Sequence, residues 1–260
     1  PKPSSAASDV YKRQITAMRP YSNKLTEILQ SLSSSIDSDN KYAQKRKVKK
    51  VLIVSITSNR GLCGGFNSNI FKKSTELANS VYNDTDVSFV AIGKKGNDFL
   101  QKSYNVESNH IDIFDNLNME SVSLIAESLM QMFVNEDFDK IDIVYNKFKN
   151  AATQVVVNEQ FLPISDVEDD SNNNLDYIFE PSKKEIIEEL IPKSLKNQLF
   201  KAIRDSWASE HGARMTAMHK ATDNATELRD QLKLAYNQAR QAAITNEILE
   251  IVGGAEALNN

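Results

Sequence analysis

The fold of this chain is decided by residues 192–258, PKSLKNQLFKAIRDSWASEHGARMTAMHKATDNATELRDQLKLAYNQARQAAITNEILEIVGGAEAL. This stretch contains no proline after its first residue, and it predicts one uninterrupted helix with Pro192 in its first turn. Such a helix would be on the order of 100 Å long, because an α-helix rises ~1.5 Å per residue. A helix of that length needs a partner other than a compact core.

Small or apolar residues recur along this stretch with gaps that alternate three and four, the heptad spacing of a coiled coil. This seam comprises Met218, Ala221, Ala225, Leu228, Leu232, Ala235, Ala239, Ala242 and Leu249, with the polar Asn246 in one slot. Its alanines bury little surface but let a partner helix approach closely. Charged residues such as Lys220, Asp223 and Lys233 lie outside the seam. The stretch therefore predicts half of a coiled-coil rod.

A shorter seam with the same spacing lies near the start of the chain. It comprises Met18, Tyr21, Leu25, Ile28 and Leu32. Pro20 lies within it and indicates a kink or a helix start. Residues 1–14, PKPSSAASDVYKRQ, share no helical period with it and are interpreted as disordered or foreign.

Between the two seams, short β-rich segments alternate with amphipathic ones. The predicted strands are 51–57, 87–93, 110–114, 140–148 and 153–164, and the predicted helices are 67–82, 94–103, 119–135 and 182–190. Pro163 favours an edge position for the last strand. The alternation predicts the α/β class, with a parallel or mixed sheet covered by helices on both faces.

Composition limits the class of protein. The 260 residues have a formal net charge of −4, which gives no overall reason to expect nucleic-acid binding. The densest basic run, 41–50, is either a phosphate-binding patch or, as we favour, a solvated approach to a strand. The single cysteine, Cys63, cannot form an internal disulfide. No apolar run approaches the ~20 residues that span a bilayer, so no direct bilayer insertion is expected.

The most enzyme-like segment is SNRGLCGGFNSN at 58–69, which follows a predicted strand and precedes a helix, where α/β proteins bind phosphates. Its glycines, Gly61, Gly64 and Gly65, match neither the dinucleotide fingerprint nor the P-loop. A nucleotide site stays open, but we favour a structural turn whose glycines supply positive φ. Cys63 is interpreted as a small buried side chain rather than a nucleophile.

No metal, cofactor or catalytic site is predicted. The acidic segment 165–176 lacks the spacing and the glycine of a calcium loop. His211 and His219 are eight residues apart on the long helix, too far to share a metal ion. Arg214 extends the seam backwards by four from Met218, and a seam arginine costs desolvation unless it is paired. It either fixes the register or reaches another chain.

Three blocks of sequence resemble one family. They are SNRGLCGGFNSNIFK at 58–72, SEHGARMTAMHKATDNATEL at 209–228 and YNQARQAAITNEILEIVGGAEAL at 236–258. Over about residues 15–258 the chain resembles the γ subunits of F-type ATP synthases. The resemblance implies a Rossmann-like α/β foot domain beside an antiparallel coiled coil of the N- and C-terminal helices. The implied segments are a leader at 1–14, a truncated N-terminal helix at 15–47, the foot at 48–180 and the long helix at 181–260.

The resemblance implies a rotor shaft rather than an enzyme. The coiled coil would turn inside the hexamer of α and β subunits, and the foot would join the ε subunit and the c-ring. Proton flow would thereby be coupled to ATP synthesis or hydrolysis at the β subunits. The chain would need no cofactor and would lie peripherally on the cytoplasmic face of a bacterial inner membrane.

Site residues follow from motif position. Arg240, Gln241, Thr245 and Glu247 match family residues near the tip of the coil that contact a β-subunit loop. Arg214 matches the arginine of the other C-terminal motif and is a further expected subunit contact. The glycine loop matches a motif of the foot domain, where a structural turn is expected.

One departure from the family affects the shaft. The family begins with several basic, periodic helical turns, where this chain has residues 1–14. The chain is therefore expected to be a fragment with a non-native leader. The seam from about Leu232 to Leu249 would then lack its intramolecular partner and fray or self-associate.

Two other functions stay open on the residues alone. A nucleotide-binding α/β enzyme with a helical dimerisation tail predicts saturable binding of ATP or NAD at the loop after Thr57. A coiled-coil tether predicts a stable homodimer through the last helix.

Overall fold

A computed structural model describes residues 40–164 and 183–258 of the chain. The predicted leader at 1–14, the shorter seam and the acidic segment 165–176 lie outside the described residues. The chain divides into two compact units, the first ending at Thr216 and the second beginning at Ala217. The prediction of four segments stays a prediction, although residues 40–49 form a turn and irregular chain rather than a helix.

The described residues contain five strands and four α-helices. The strands are β1 (Lys50–Ile56), β2 (Asp86–Ile92), β3 (Asn105–Asn109), β4 (Lys140–Phe148) and β5 (Gln154–Leu162). The α-helices are α1 (Phe66–Glu76), α2 (Lys94–Leu100), α3 (Met119–Val134) and α4 (Lys183–Leu258). A π-helical turn at Leu77–Val81 follows α1, and a 3-10 turn at Asp112–Phe114 precedes α3.

The strands form one sheet in the order β3-β2-β1-β4-β5. β1 pairs in parallel with β2 and β4, β2 pairs in parallel with β3, and β5 is antiparallel to β4. The predicted α/β fold with a mixed sheet is confirmed. Residues 51–56 of the central strand are all buried, as expected of a strand covered on both faces.

Helices cover both faces of this sheet. On one face, α1 and α2 pack on β1 and β2 through Ile70, Phe89 and Leu100. On the other face, α3 and the first part of α4 contribute Phe133 and Leu199 to the larger core. The helices that follow β1 and β3 therefore lie on opposite faces. The carboxyl ends of β1 and β4 mark a topological switch point, the usual ligand site of open α/β sheets.

The third strand differs from prediction. The strand predicted at 110–114 is wrong, because β3 ends at Asn109 and Asp112–Phe114 is a 3-10 turn. Val106 is the one large apolar residue of β3, whose positions alternate between exposed and half-buried. An edge strand of this kind lacks the apolar run that marks a buried strand in the sequence.

The start of the long helix also differs from prediction. Pro192 lies inside α4 rather than in its first turn, since the 76-residue helix begins at Lys183. Proline has no backbone N–H and so removes one helical hydrogen bond. On either side of it, Ile191 and Leu195 are buried in the larger core, and this packing holds the helix through the proline.

A close backbone approach fixes α2 against the end of β1. Thr57 Oγ1 accepts a hydrogen bond from the backbone N–H of Gly96 at 2.8 Å. Gly93, just before α2, has φ 104°, and a Cβ added there would lie 2.3 Å from the carbonyl oxygen of Thr57. Only glycine fits at this position, because the added carbon would meet backbone and the φ is unfavourable for other residues.

We expect the substitution Gly93→Ala to lower the free energy of unfolding by about 2–4 kcal/mol, through backbone strain and the clash with Thr57. Urea denaturation followed by circular dichroism measures the loss. Gly61→Ala is the matched control, since an added Cβ there has no neighbour within 4 Å. Equal stability of the two variants would contradict the expectation.

Candidate functional site

The loop after β1 is held by its own polar side chains. Ser58 Oγ donates to the carbonyl oxygen of Arg60 at 2.6 Å and accepts from Asn67 Nδ2 at 2.8 Å. Asn67 Oδ1 accepts from the backbone N–H of Ser58 at 3.0 Å. Cys63 is buried in the same place. These polar groups satisfy one another, so the loop is a braced turn.

The backbone of this loop differs from the pattern expected of its glycines. Gly64 has a φ of 59°, the left-handed conformation that glycine favours. Gly65 has φ −79° at the start of α1, and a Cβ on Gly61 would have no neighbour within 4 Å. Leu62 adopts φ 61° with its side chain 78% exposed. No sequence pattern singles out Leu62, because leucine has no preference for this conformation.

Residues 208–216 of α4 cover the switch point. Ser209 Oγ, fully buried, donates at 2.9 Å to the carbonyl oxygen of Asn146 in β4. Asn146 Nδ2 donates at 3.1 Å to the carbonyl oxygen of Phe66 at the start of α1. Ala213 packs against Phe66 in the same apolar cluster. The chain's own helix therefore occupies the edge of the sheet where a nucleotide would bind in other α/β proteins.

Arg214 ties this helix to the glycine loop. Its Nη2 lies 2.7 Å from Glu210 Oε1 and also donates to the carbonyl oxygens of Arg60 and Gly61, at 3.3 and 3.4 Å. The Arg214 and Glu210 side chains are 24% and 10% exposed. The sequence left open whether Arg214 fixes the register of the helix or reaches another chain. In this structure its contacts are within the chain. The role of Arg214 as a subunit contact stays a prediction.

His211 lies between the members of this ion pair along the helix. Burial lowers the pKa of His211, Glu210 opposes that shift and Arg214 adds to it. The Trp207 ring meets the imidazole edge to face, with ring centroids 5.4 Å apart. The neutral imidazole is therefore favoured, and Arg214 carries the positive charge of the site.

The residues predicted near the tip of the coil belong to the second unit. Arg240, Gln241, Thr245 and Glu247 are all exposed on α4. Thr245 Oγ1 donates to the carbonyl oxygen of Gln241, one turn earlier, at 2.9 Å. The leucines of the seam are exposed as well, among them Leu232 at 61%. Their role as subunit contacts stays a prediction.

Neither a metal centre nor a membrane span is found among the described residues. Among residues 40–164 and 183–258, no three His, Cys, Asp or Glu side chains are grouped so that they could hold a metal ion. Across the same residues, no helix combines the length and the apolar character needed to cross a membrane.

We expect Arg214→Ala to lower the free energy of unfolding by about 1–3 kcal/mol, because Glu210 would keep a buried carboxylate without its cation. Chemical denaturation measures the change. Arg229→Ala is the control, since Arg229 also pairs with a carboxylate, that of Asp230, but both side chains are mostly exposed. Such an exposed pair contributes about 0–1 kcal/mol. Equal losses in both variants would show that the Arg214 pair stabilises no more than a surface pair.

Known proteins match almost the whole chain. A family model described as ATP synthase matches residues 4–258. The ATP synthase gamma chain of Christiangramia forsetii is 62% identical over 258 residues, which is 98% of this chain and 90% of the relative. The gamma chain of Flavobacterium johnsoniae is 62% identical over 94% of this chain and 86% of its own length. That of Cytophaga hutchinsonii is 48% identical over 98% of this chain and 91% of its own length.

Solved structures share the fold. A chain of the Euglena gracilis mitochondrial ATP synthase OSCP/F1/c-ring assembly matches with a TM-score of 0.63 at 21% identity, over 97% of this chain and 95% of its own. A chain of the Tetrahymena thermophila mitochondrial ATP synthase central stalk and c-ring matches with a TM-score of 0.57 at 24% identity, over 85% of this chain and 100% of its own. At these identities the solved structures show that the fold is shared. The family is shown by the more similar gamma chains. This chain belongs to the ATP synthase gamma chain family.

Proposed function

We propose that this chain is the central rotor shaft of an ATP synthase, which couples rotation of the c-ring to conformational cycling of the catalytic β subunits. The observation that carries the proposal is α4, a helix of 76 residues whose residues 218–255 are all exposed. These residues include the apolar seam, and an apolar helix face exposed to water is expected to pack against a partner. A helix of this kind needs surrounding subunits.

The proposed partners are the α and β subunits as a hexamer, the ε subunit and the c-ring. Support comes from the solved neighbours, which belong to a central stalk with its c-ring and to an OSCP/F1/c-ring assembly. The gamma chain is a non-catalytic subunit, so ATP is made or hydrolysed on the β subunits. We place the chain at the periphery of the membrane complex, on the cytoplasmic face of a bacterial inner membrane.

The covered switch point disfavours the alternative function. A nucleotide-binding enzyme with a helical tail would need an open crevice at the carboxyl ends of β1 and β4. In this chain Ser209 and Ala213 occupy that place. The glycine loop is braced by Ser58 and Asn67 and tied to α4 by Arg214.

We assign contact with the β subunits to Arg240, Gln241, Thr245 and Glu247. They lie within two turns of α4, and their helical spacing places them on one half of its circumference. All four are exposed and offer a guanidinium, an amide, a hydroxyl and a carboxylate to a passing polar loop. Bonds of this kind can form and break as a shaft turns, because each partner is solvated when it is unpaired.

Reconstitution tests the rotor function directly. The chain is combined with the α and β subunits of Flavobacterium johnsoniae, and ATP hydrolysis is measured with and without it. We expect the chain to co-purify with the hexamer and to change its hydrolysis rate. Hydrolysis that is indifferent to the chain would overturn the proposal. Saturable ATP binding by the chain alone would favour the enzyme instead.

We expect Arg240→Ala to lower the hydrolysis rate of the reconstituted complex while leaving the isolated chain within about 0.5 kcal/mol of its original stability, as for other exposed substitutions. The control is Lys233→Ala, which removes one positive charge from an exposed position two turns earlier on the same helix. If both variants change hydrolysis alike, charge rather than the Arg240 contact is responsible.

A further inference from the structure

The loop between β4 and β5 is a stiff turn that presents one carbonyl group. Asn150 Oδ1 accepts from the backbone N–H groups of Ala152 at 3.0 Å and of Thr153 at 2.7 Å. The backbones of Asn150 and Thr153 also bond to each other in both directions, at 3.2 Å. Ala151 is thereby held at the tip of the turn, and its carbonyl oxygen has a fixed position.

That carbonyl group meets α4 at a distance that only a small residue allows. Ala151 O accepts from Gln154 Nε2 at 3.0 Å. Thr216 Oγ1 shares its one proton between Ala151 O at 3.2 Å and the carbonyl oxygen of Gly212 at 3.1 Å. A Cβ added to Gly212 would lie 3.0 Å from this oxygen and 3.1 Å from the Cα of Ala151. Both atoms are backbone atoms of a braced turn, so they cannot move aside as a flexible side chain would.

A second loop holds α4 on a different face of the helix. Ala213 packs against Cys63 and Phe66 in the glycine loop and α1, and Arg214 bonds to the carbonyl oxygens of that loop. Gly212 and Thr216 are one turn apart and share a face, Arg214 lies on the opposite side of the helix, and Ala213 lies between the two. Contacts on two faces resist rotation of the helix about its own axis, which contacts on one face would not.

These contacts lie at the end of the part of α4 that belongs to the first unit. Thr216 is the last residue of the first unit, and every residue from Met218 to Ala255 is exposed. The two loops therefore hold the last part of α4 that belongs to the first unit.

We propose that the turn at Ala151 and the glycine loop form a clamp on residues 209–216 of α4, and that torque passes between foot and shaft through this clamp. Gly212 is its positioning residue, because it sets the spacing between the helix and the turn. The inference rests on the proposed rotor function and adds to it the contacts through which the foot holds the shaft. A loosened clamp would leave α4 held by the buried residues between Ile191 and Ile203, so the helix beyond them could twist against the foot and ATP hydrolysis would drive the c-ring less efficiently.

The test uses a complete ATP synthase in which this chain is the gamma chain. ATP hydrolysis and ATP-driven proton pumping into vesicles are both measured per assembled complex. We expect Gly212→Ala to keep hydrolysis and to lose pumping per ATP hydrolysed. Gly254→Ala controls for the exchange of a glycine of the same helix for alanine, because it has no neighbour within 4 Å in the isolated chain, and its hydrolysis rate reports any contact with the surrounding subunits. A residue with only a structural role would reduce the amount of complex and leave the ratio unchanged.

A second variant, Thr216→Val, tests the proposal if Gly212→Ala fails to assemble into the complex. Thr216→Val keeps the shape of the side chain and removes the hydroxyl that is shared between Ala151 O and Gly212 O, so it should lower the ratio of pumping to hydrolysis less than Gly212→Ala. If Gly212→Ala does not assemble, Thr216→Val decides by the same ratio. Unchanged ratios in the variants that assemble overturn the clamp and leave the rotor function standing. An unmodified complex in which neither activity depends on the gamma chain overturns the rotor function itself.

Discussion

The packing of α4 on the carboxyl edge of the sheet is the contact on which the rest of the structure depends. In open α/β sheets this edge is where ligands bind, because parallel strands end together and helices begin there. Here Ser209 seals it with a buried hydrogen bond to Asn146, and Ala213 fills the apolar space beside Phe66. This packing therefore fills the place of a ligand site with residues of the chain's own helix.

Small side chains make this contact close. Glycine inside a helix costs about 1 kcal/mol relative to alanine, yet Gly212 lies in the middle of α4, where a Cβ would meet the backbone of Ala151. The close approach offsets that cost with hydrogen bonds and dispersion contacts. An ion pair orients the Arg214 side chain. Its guanidinium pairs with Glu210 and in that position donates hydrogen bonds to two carbonyl oxygens of the glycine loop.

Local sequence patterns predicted the elements in which one pattern repeats over many residues. The apolar run at 51–57 marked the central strand, and the heptad spacing after Met218 marked the long helix, because both signals repeat over many residues. The polar strand β3 and the position of Pro192 inside α4 were not predictable, since tertiary packing decides them. The meeting of Gly212 with Ala151 joins positions 61 residues apart in the chain, and no periodicity records such a pair.

The two units obtain their order from different sources. The first unit buries a large core on both faces of its sheet, so its order comes from its own packing. In the second unit residues 218–255 are exposed, including Leu228, Leu232 and Leu249 of the seam. A single helix in water gains little from propensity and depends on packing for its stability. Any partner that covers the seam binds the helical form in preference to the unfolded one and stabilises it by mass action. The alanines of the seam let a partner helix approach closely. When no partner is bound, their small side chains expose little apolar surface to water. The last part of α4 is therefore expected to gain its full order from assembly, whereas residues 209–216 are already ordered by the sheet domain that holds them.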